Sequence, residues 1–189
     1  MKKSVWITLA VVAVVIIALI AGFVSSYNGL VDAEVAVEEK ASTVDTMLTR
    51  RADLIPNLVS TVKGYAAHEE EVYTAIADAR AKLSGSTSTE DKLEANDELS
   101  SAISRLLVVV EQYPELKASE QFIALQDQLE GAENRISTAR VDYNEAVKKY
   151  NTRIRRFPSN LIAGMFGFEK YEMYVAPEDD QTAPSVNFD

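Results

Sequence analysis

The sequence predicts an all-α fold in which an N-terminal transmembrane helix precedes an antiparallel bundle of long helices. Three observations lead to this prediction. The chain begins with an uncharged apolar stretch, its later apolar residues recur at helical spacing, and it has only 7 glycines and 5 prolines among 189 residues. Scarce turn residues disfavour a β fold with many tight turns. The length suits one membrane segment followed by one domain.

The uncharged stretch runs from Val5 to Val24, and Thr8 is its polar residue. Roughly 20 helical residues cover the ~30 Å hydrocarbon core, and a helix satisfies every backbone polar group there. Trp6, near one end, suits the membrane interface. A cleaved signal peptide is the alternative, but its apolar region is usually about 7–15 residues long, and Val24-Ser25-Ser26 is a weak cleavage site. We therefore predict that residues 1–26 are a retained membrane anchor, with the lipid bilayer as the partner of Val5 to Val24.

The charges on either side of this stretch predict its orientation. Lys2 and Lys3 precede it, whereas acidic residues follow it and the next basic residue is Lys40. Basic residues next to a membrane segment favour the cytoplasmic side. The sequence therefore predicts a single-pass cell-membrane protein with a cytoplasmic N-terminus and an external domain.

The composition excludes several classes of function. The net charge is −10, and the chain contains no cysteine. Because an acidic protein is repelled by phosphate backbones, we expect no nucleic acid partner. Without cysteine the chain has no disulfide, no thiol nucleophile, no cysteine-ligated zinc and no lipoprotein anchor.

Apolar residues at steps of three, four and seven predict the first helices of the domain. The first stripe comprises Leu30, Val37, Ala41, Val44 and Leu48. The second comprises Leu58, Val62, Tyr65, Val72, Ile76, Ala79 and Leu83. Between the two stripes, Pro56 either ends or kinks the helix, or lies in the first turn of a new helix that Asp53 caps.

Ser84 to Thr87 form a break before the next helix. Ser88, followed by Asp91, resembles a capping box with aspartate in place of the usual glutamate. The stripe of this helix comprises Leu99, Ile103, Leu106, Val110 and Tyr113. Pro114 then interrupts the pattern.

The last long helix has the most regular spacing. Its stripe comprises Phe122, Leu125, Leu129, Ala132, Ile136, Ala139, Tyr143, Ala146, Tyr150, Ile154 and Phe157. Such a heptad repeat predicts a coiled-coil-like seam about 50 Å long, which Pro158 should stop. Long helices with short connections predict antiparallel neighbours in a bundle.

The C-terminal part divides into two segments. Asn160 to Val175 is apolar and aromatic, and it either folds back to close one end of the bundle or contacts the bilayer or a partner. Folding back is favoured, because solvent-exposed Phe166 and Phe168 would promote aggregation. Residues 176–189 are acidic with two prolines, which predicts a disordered tail.

Short strings in order along nearly the whole chain resemble one known family. These strings are Tyr27-Asn28-x-Leu30-Val31, Arg50-Arg51-x-Asp53-Leu54-Ile55-Pro56-Asn57-Leu58-Val59, Val62-Lys63-Gly64-Tyr65-Ala66-x-His68-Glu69, Tyr113-Pro114-Glu115-Leu116-Lys117-Ala118, Glu133-x-x-Ile136-x-x-Ala139-Arg140-x-x-Tyr143-Asn144, and Tyr150-Asn151 with Phe157-Pro158 before Gly167-Phe168. The chain resembles the LemA family of bacterial membrane proteins. The resemblance implies a cell-membrane protein with an N-terminal anchor and a LemA-like helical bundle over residues 27–175. It carries over no catalytic residue.

Each candidate site has a structural explanation beside the functional one. His68 is the single histidine, and it lacks partners at metal-ligand spacing. Arg50-Arg51 beside Asp53 could bind an anion, but an ion pair or a favourable position near a helix C-terminus also explains them. The same helix-end argument covers Arg153, Arg155 and Arg156. We therefore predict no catalytic, cofactor-binding or metal-binding residue, no cofactor and no enzymatic activity.

Tyr143-Asn144 and Tyr150-Asn151 repeat at one heptad. They indicate either a partner-specifying seam with polar groups that fix its register, or tyrosines that fill the bundle core with their hydroxyls at its edge.

Two hypotheses about function follow from these features. The first is a membrane-anchored interaction or scaffold protein of the bacterial envelope, with an unidentified membrane or envelope partner. The alternative is a regulatory adaptor or sensor for a membrane enzyme such as a protease. Self-association into a homo-oligomer is compatible with both hypotheses.

Overall fold

The computed structural model describes residues 2–175, with side chains from Val5 onward, and every regular element among them is a helix. The predicted all-α class is confirmed. The helices are α1 (Lys2–Lys63), α2 (Glu70–Gly85), α3 (Thr89–Val110), α4 (Pro114–Lys117), α5 (Glu120–Arg155) and α6 (Ser159–Phe166). The tail predicted to be disordered, residues 176–189, lies outside the described residues.

The described residues belong to two compact units. The first unit comprises residues 2–40 and 145–171, and the second comprises residues 41–144 and 172–175. Both α1 and α5 therefore contribute residues to each unit. The boundaries predicted after residues 26 and 175 stay predictions.

The first part of α1 is the predicted membrane segment. Within the described part of the chain, one helix is long and apolar enough to cross a membrane, and none of its apolar window is buried within the protein. Valine, isoleucine and leucine side chains between Val5 and Val24 are exposed on all faces of this helix. A soluble core helix would bury these side chains against other elements. The exposure supports localisation to a membrane.

The first unit has a small apolar core on α1. Leu30 packs against Ile162 and Ala163 of α6, with Tyr27 and Phe168 partly buried beside them. One face of the predicted apolar segment thus folds back, as the sequence favours. Its other face, with Leu161 and Met165, is exposed.

The second unit buries the predicted stripes of its long helices. The confirmed core positions are Val44, Leu48, Leu58, Val62, Ile76, Ala79, Leu83, Leu99, Ile103, Leu106, Val110, Phe122, Leu125, Leu129, Ala132, Ile136, Ala139 and Tyr143. Ser88 caps α3 as predicted, because its Oγ accepts a hydrogen bond of 3.0 Å from the Asp91 N–H. Pro114 occupies the first turn of α4, where its missing N–H costs nothing.

Two predicted stripes need correction. The second stripe is not continuous, because α1 ends at Lys63 and α2 begins at Glu70. Tyr65 in the connection is exposed, and Tyr73 is buried one position after the predicted Val72. The Tyr73 hydroxyl donates to the Ala66 carbonyl at 2.7 Å, and this bond links the connection to α2.

On α5 the predicted stripe is wrong at two positions. Val147 is buried where the heptad pattern selects Ala146, and Phe157, beyond the helix end at Arg155, is 81% exposed. Tyr150, the next position of the pattern, is fully buried, so the departure at Ala146 is local. Phe157 lies outside α5, where helical spacing no longer predicts which side chain is buried. The predicted stop before Pro158 is confirmed.

Pro56 neither ends α1 nor begins a new helix, so those two predictions for it are wrong, and a kink at Pro56 stays a prediction. It lies inside α1. Proline has no N–H, so it cannot donate the helical hydrogen bond to the carbonyl of Ala52, four residues earlier. Arg80 of α2 donates its Nε–H to that carbonyl at 3.1 Å. A tertiary contact thus replaces the backbone bond that the proline removes.

We predict that Pro56 and Arg80 are energetically coupled. Arg80→Ala should cost about 1–2 kcal/mol, because it leaves the Ala52 carbonyl without this donor. In a Pro56→Ala background the helix regains its own N–H donor, so the loss should fall by roughly half or more. Denaturant unfolding of the four cycle members measures this coupling.

Arg105→Ala removes an exposed arginine and serves as the control, with an expected change within about 0.5 kcal/mol. An equal cost of Arg80→Ala in both backgrounds would contradict the proposed replacement.

Candidate functional site

A groove of about 640 Å³ opens on the surface of the second unit, and both polar and apolar side chains line it. Residues of α3 and α5 form its walls, and Arg51 and Leu58 of α1 also line it. Several hydroxyl, amide and carboxylate side chains face this space: Ser100, Ser101, Ser104, Gln126 and Glu130. The groove therefore offers hydrogen-bonding groups above two arginines.

Arg51 is the first of these arginines, and only 5% of it is exposed. Its Nη1 donates to Asn96 Oδ1 at 2.6 Å and to Ser100 Oγ at 2.9 Å, and it lies 2.7 Å from Glu133 Oε2. Burial lowers the pKa of Arg51, and the Glu133 carboxylate opposes this effect. Because a buried charge needs a partner, this network fixes the register of α1, α3 and α5.

This geometry decides between the two explanations of the arginine pair. Arg51 pairs with Glu133, whereas Arg50 and Asp53 are exposed. The ion-pair explanation is confirmed for Arg51. The explanation by a helix C-terminus is wrong, because α1 continues to Lys63.

Arg140 is the second arginine of the groove, and no sequence pattern predicts its role. Its Nη2 donates to Asp97 Oδ1 at 2.5 Å, and its Nη1 donates to the Tyr174 hydroxyl at 3.1 Å. The guanidinium lies 4.4 Å from the centroid of the Tyr174 ring, and that hydroxyl donates to Asp97 Oδ2 at 2.8 Å. This contact joins residues far apart in sequence, so no local pattern could reveal it.

The asparagines of the heptad repeat hold the extended segment that follows α6. In the first unit, Asn151 Nδ2 donates to the Tyr171 carbonyl at 2.7 Å, and its Oδ1 accepts from the Tyr171 N–H at 3.1 Å. In the second unit, Asn144 makes the same two bonds to Tyr174, at 2.8 and 2.9 Å. Each side-chain amide therefore pairs with one backbone residue as a second peptide group would.

The tyrosines of the repeat fill the core, as the structural explanation predicts. Tyr143 and Tyr150 are almost fully buried. The Tyr150 ring meets the Tyr171 ring edge-on at 5.3 Å between centroids. Among the described side chains, the Tyr150 hydroxyl is one of the buried groups without a hydrogen-bond partner. Burial, followed by Glu34, Tyr171 and Glu169, raises the pKa of Tyr150 to about 12.

The remaining chemistry of the described residues is sparse. His68 is exposed in the connection between α1 and α2. Residues 2–175 contain no group of three or more histidine, aspartate or glutamate side chains arranged to hold a metal ion. The groove carboxylates Asp97 and Glu133 are engaged by Arg140 and Arg51.

An exposed apolar helix joined to helical units with a groove defines a membrane-associated α-helical protein. The family model of the LemA family matches residues 40–188. The chain belongs to the LemA family, as its sequence motifs indicate.

Curated relatives agree with this assignment. The chain is 29% identical to Magnetosome protein MamQ 2 of Paramagnetospirillum magneticum, across 84% of this chain and 68% of the relative. It is 25% identical to Magnetosome protein MamQ of Magnetospirillum gryphiswaldense, across 92% and 73%. It is 24% identical to Protein LemA of Metamycoplasma hominis, across 82% and 72%. None of these three names describes an enzymatic activity.

We predict that the asparagine bonds hold the C-terminal segment in place. Asn151→Ala removes both bonds to Tyr171 and should cost about 1–3 kcal/mol locally. Limited proteolysis should then cleave near Tyr171 several-fold faster than in the parent protein, because local opening exposes the chain. Asn134→Ala, an exposed asparagine on the same helix, is the matched control and should leave the rate unchanged. Equal cleavage of the two variants would contradict this role.

We also predict a specific alkaline sensitivity. A folded-state pKa of about 12, against an ordinary value of 10.0, means that the folded protein retains the Tyr150 proton longer than the unfolded chain does. The stabilising effect of this proton is complete below pH 10 and is lost as the pH rises from 10 to about 12. Helical circular dichroism during urea unfolding across this range measures the loss.

Tyr150→Phe should reduce this alkaline loss, and at neutral pH it should leave stability level or raise it by about 1 kcal/mol, because it removes a buried hydroxyl without a partner. Tyr27→Phe is the control and should keep the parent's pH profile. An unchanged profile for Tyr150→Phe would refute the assignment.

Proposed function

We propose that this protein is a non-enzymatic scaffold, anchored in the cell membrane of a bacterium, that binds envelope proteins through its helical bundle. The observation that carries the proposal is the continuity of α1. This one helix of 62 residues contains the exposed apolar stretch and then contributes buried side chains to the core. An anchor without a flexible linker suits a protein that positions a partner beside the membrane.

In the proposed orientation the N-terminus is cytoplasmic and the remainder is external. Lys2 and Lys3 lie on one side of the apolar stretch, and Asp32 and Glu34 lie on the other. Basic residues are retained in the cytoplasm more strongly than acidic ones. In this arrangement the groove faces the envelope, where an extracytoplasmic protein can reach it.

The groove is the proposed contact for the partner. Its arginines are engaged by carboxylates, while exposed Ser104, Gln126 and Glu130 remain along its rim. Such a rim offers both donors and acceptors but no unpaired cation. It therefore favours a polar partner segment over a free phosphate or carboxylate ligand.

A site-specific crosslink tests both the orientation and the groove. The parent has no cysteine, so Gln126→Cys introduces a single thiol at the groove and Gln128→Cys introduces one elsewhere on α5. The two positions are about 200° apart around the helix, and both are exposed. A membrane-impermeant maleimide carrying a photo-crosslinker is added to spheroplasts, and mass spectrometry identifies the adducts.

We expect both thiols to react and one defined protein adduct to form from residue 126 only. Labelling that requires a permeabilised membrane would show that the orientation is wrong. Labelling without an adduct, or with the same adducts from both positions, would rule out the groove as the contact. A catalytic membrane protein as the adduct would replace the scaffold with the regulatory adaptor.

A further inference from the structure

The C-terminal helix α6 has two different faces. Its Ile162 and Ala163 pack on Leu30. On the other side Leu161 is 58% and Met165 72% exposed, whereas Phe166, on the side toward α1, is 53% exposed. A contiguous exposed apolar face of this kind usually marks contact with a partner or a membrane.

Aromatic contacts place α6 at the end of the apolar stretch of α1. The Phe166 ring lies 6.1 Å from the Phe23 ring and 4.9 Å from the Tyr27 ring, centroid to centroid. Phe23 lies inside the stretch that ends at Val24, and Tyr27 lies only about 4.5 Å beyond that end along the helix. Phe166 is therefore level with the edge of the hydrocarbon core when Val5 to Val24 crosses the bilayer.

Basic side chains lie at the height of the lipid headgroups. The Arg153 guanidinium rests on Gly29, where an added Cβ would be only 1.8 Å from Nη2. Gly29 is about 7.5 Å beyond Val24 along the helix, which is the outer edge of a headgroup layer roughly 5–7.5 Å thick. Arg155 and Arg156 are exposed in the same turn. Asp32, which lines the same hollow as Arg153, is about 12 Å beyond Val24 and so lies outside that layer.

We propose that α6 is an interfacial membrane element, whose apolar face enters the edge of the bilayer while Arg153, Arg155 and Arg156 bind lipid phosphates. The inference rests on the proposed membrane anchor. Short amphipathic helices bind interfaces by this combination of apolar burial and attraction to anionic lipid. The bilayer is the favoured occupant because the exposed face is continuous with the apolar surface of α1. The aromatic side chains then avoid water without a second protein.

Spin labels at single cysteines test this placement in the full chain. Met165→Cys and Leu161→Cys report on α6, and Val14→Cys reports on the anchor. Val108→Cys is the matched control, because Val108 is 67% exposed, close to the value for Met165. The proteins are reconstituted in vesicles of phosphatidylcholine and phosphatidylglycerol. Collision of each label with oxygen, which enriches in lipid, is compared with collision with a water-soluble nickel chelate.

We expect the labels at residues 165 and 161 to give a ratio of oxygen to nickel collision rates several-fold above the ratio at residue 108. The label at residue 14, in the anchor, should also give such a high ratio. A ratio at 165 and 161 equal to that at 108 would overturn the proposal. Low collision with both reagents would mean that a protein surface, such as a second copy of the chain, covers α6, and would also overturn it. A water-like ratio at 14 would instead refute the anchor itself, so the two failures are distinguishable.

The spin label at residue 165 also tests whether the three arginines contact lipid phosphates. Removing phosphatidylglycerol should lower its oxygen-to-nickel ratio, and Arg153→Gln combined with Arg155→Gln and Arg156→Gln should abolish that dependence. If the ratio for the parent protein is the same with and without phosphatidylglycerol, the proposed phosphate contacts are refuted.

Discussion

Continuous backbone hydrogen bonding along α1 is the constraint on which the rest of the structure depends. In hydrocarbon every N–H and C=O must find a partner within the segment, so the apolar part of α1 must be helical. Farther along, Pro56 breaks this rule locally, and the helix still continues to Lys63. It can do so because Arg80 supplies a donor to Ala52 from another helix. Intrinsic backbone bonding thus suffices near the N-terminus, whereas the second unit maintains the helix through tertiary contacts.

Buried charge gives the second unit its specificity. Apolar stripes allow helices to slide by a turn at modest cost, because leucine, isoleucine and valine are interchangeable partners. Arg51 opposes such sliding, because a shift of one helix by a turn would move its buried guanidinium away from Asn96 and Glu133. An unpaired buried charge costs about 3–5 kcal/mol, even though the pair itself adds little net stability. The network therefore selects one alignment among several apolar ones.

The sequence predicted the helical class and most core positions because burial follows local periodicity. It failed where a partner distant in sequence decides the outcome. From the sequence alone Pro56 is predicted to disturb the helix, because the contact from Arg80 to Ala52 is not visible there. In the same way Arg140 resembles an ordinary surface arginine, because its contacts with Asp97 and Tyr174 are not visible. The error at Phe157 has another cause, because the helical spacing was extended past Arg155, where α5 ends.

The groove illustrates the same limit. Its rim consists of serine, glutamine and glutamate residues that are common on any exposed helix face, so their spacing carries no signal. What makes them a site is the approach of α3 to α5 over Arg51 and Arg140, which the one-dimensional pattern does not contain.

The repeated Tyr-Asn pair explains how an all-helical protein can hold an extended segment. Extended backbone normally needs a neighbouring strand, and without one its N–H and C=O groups are left open to unwanted pairing. An asparagine side chain carries one donor and one acceptor in the geometry of a peptide group, so Asn144 and Asn151 can take the place of a strand. Because each asparagine follows a core tyrosine, about 100° further around the helix, one dipeptide both fills the core and binds the returning chain.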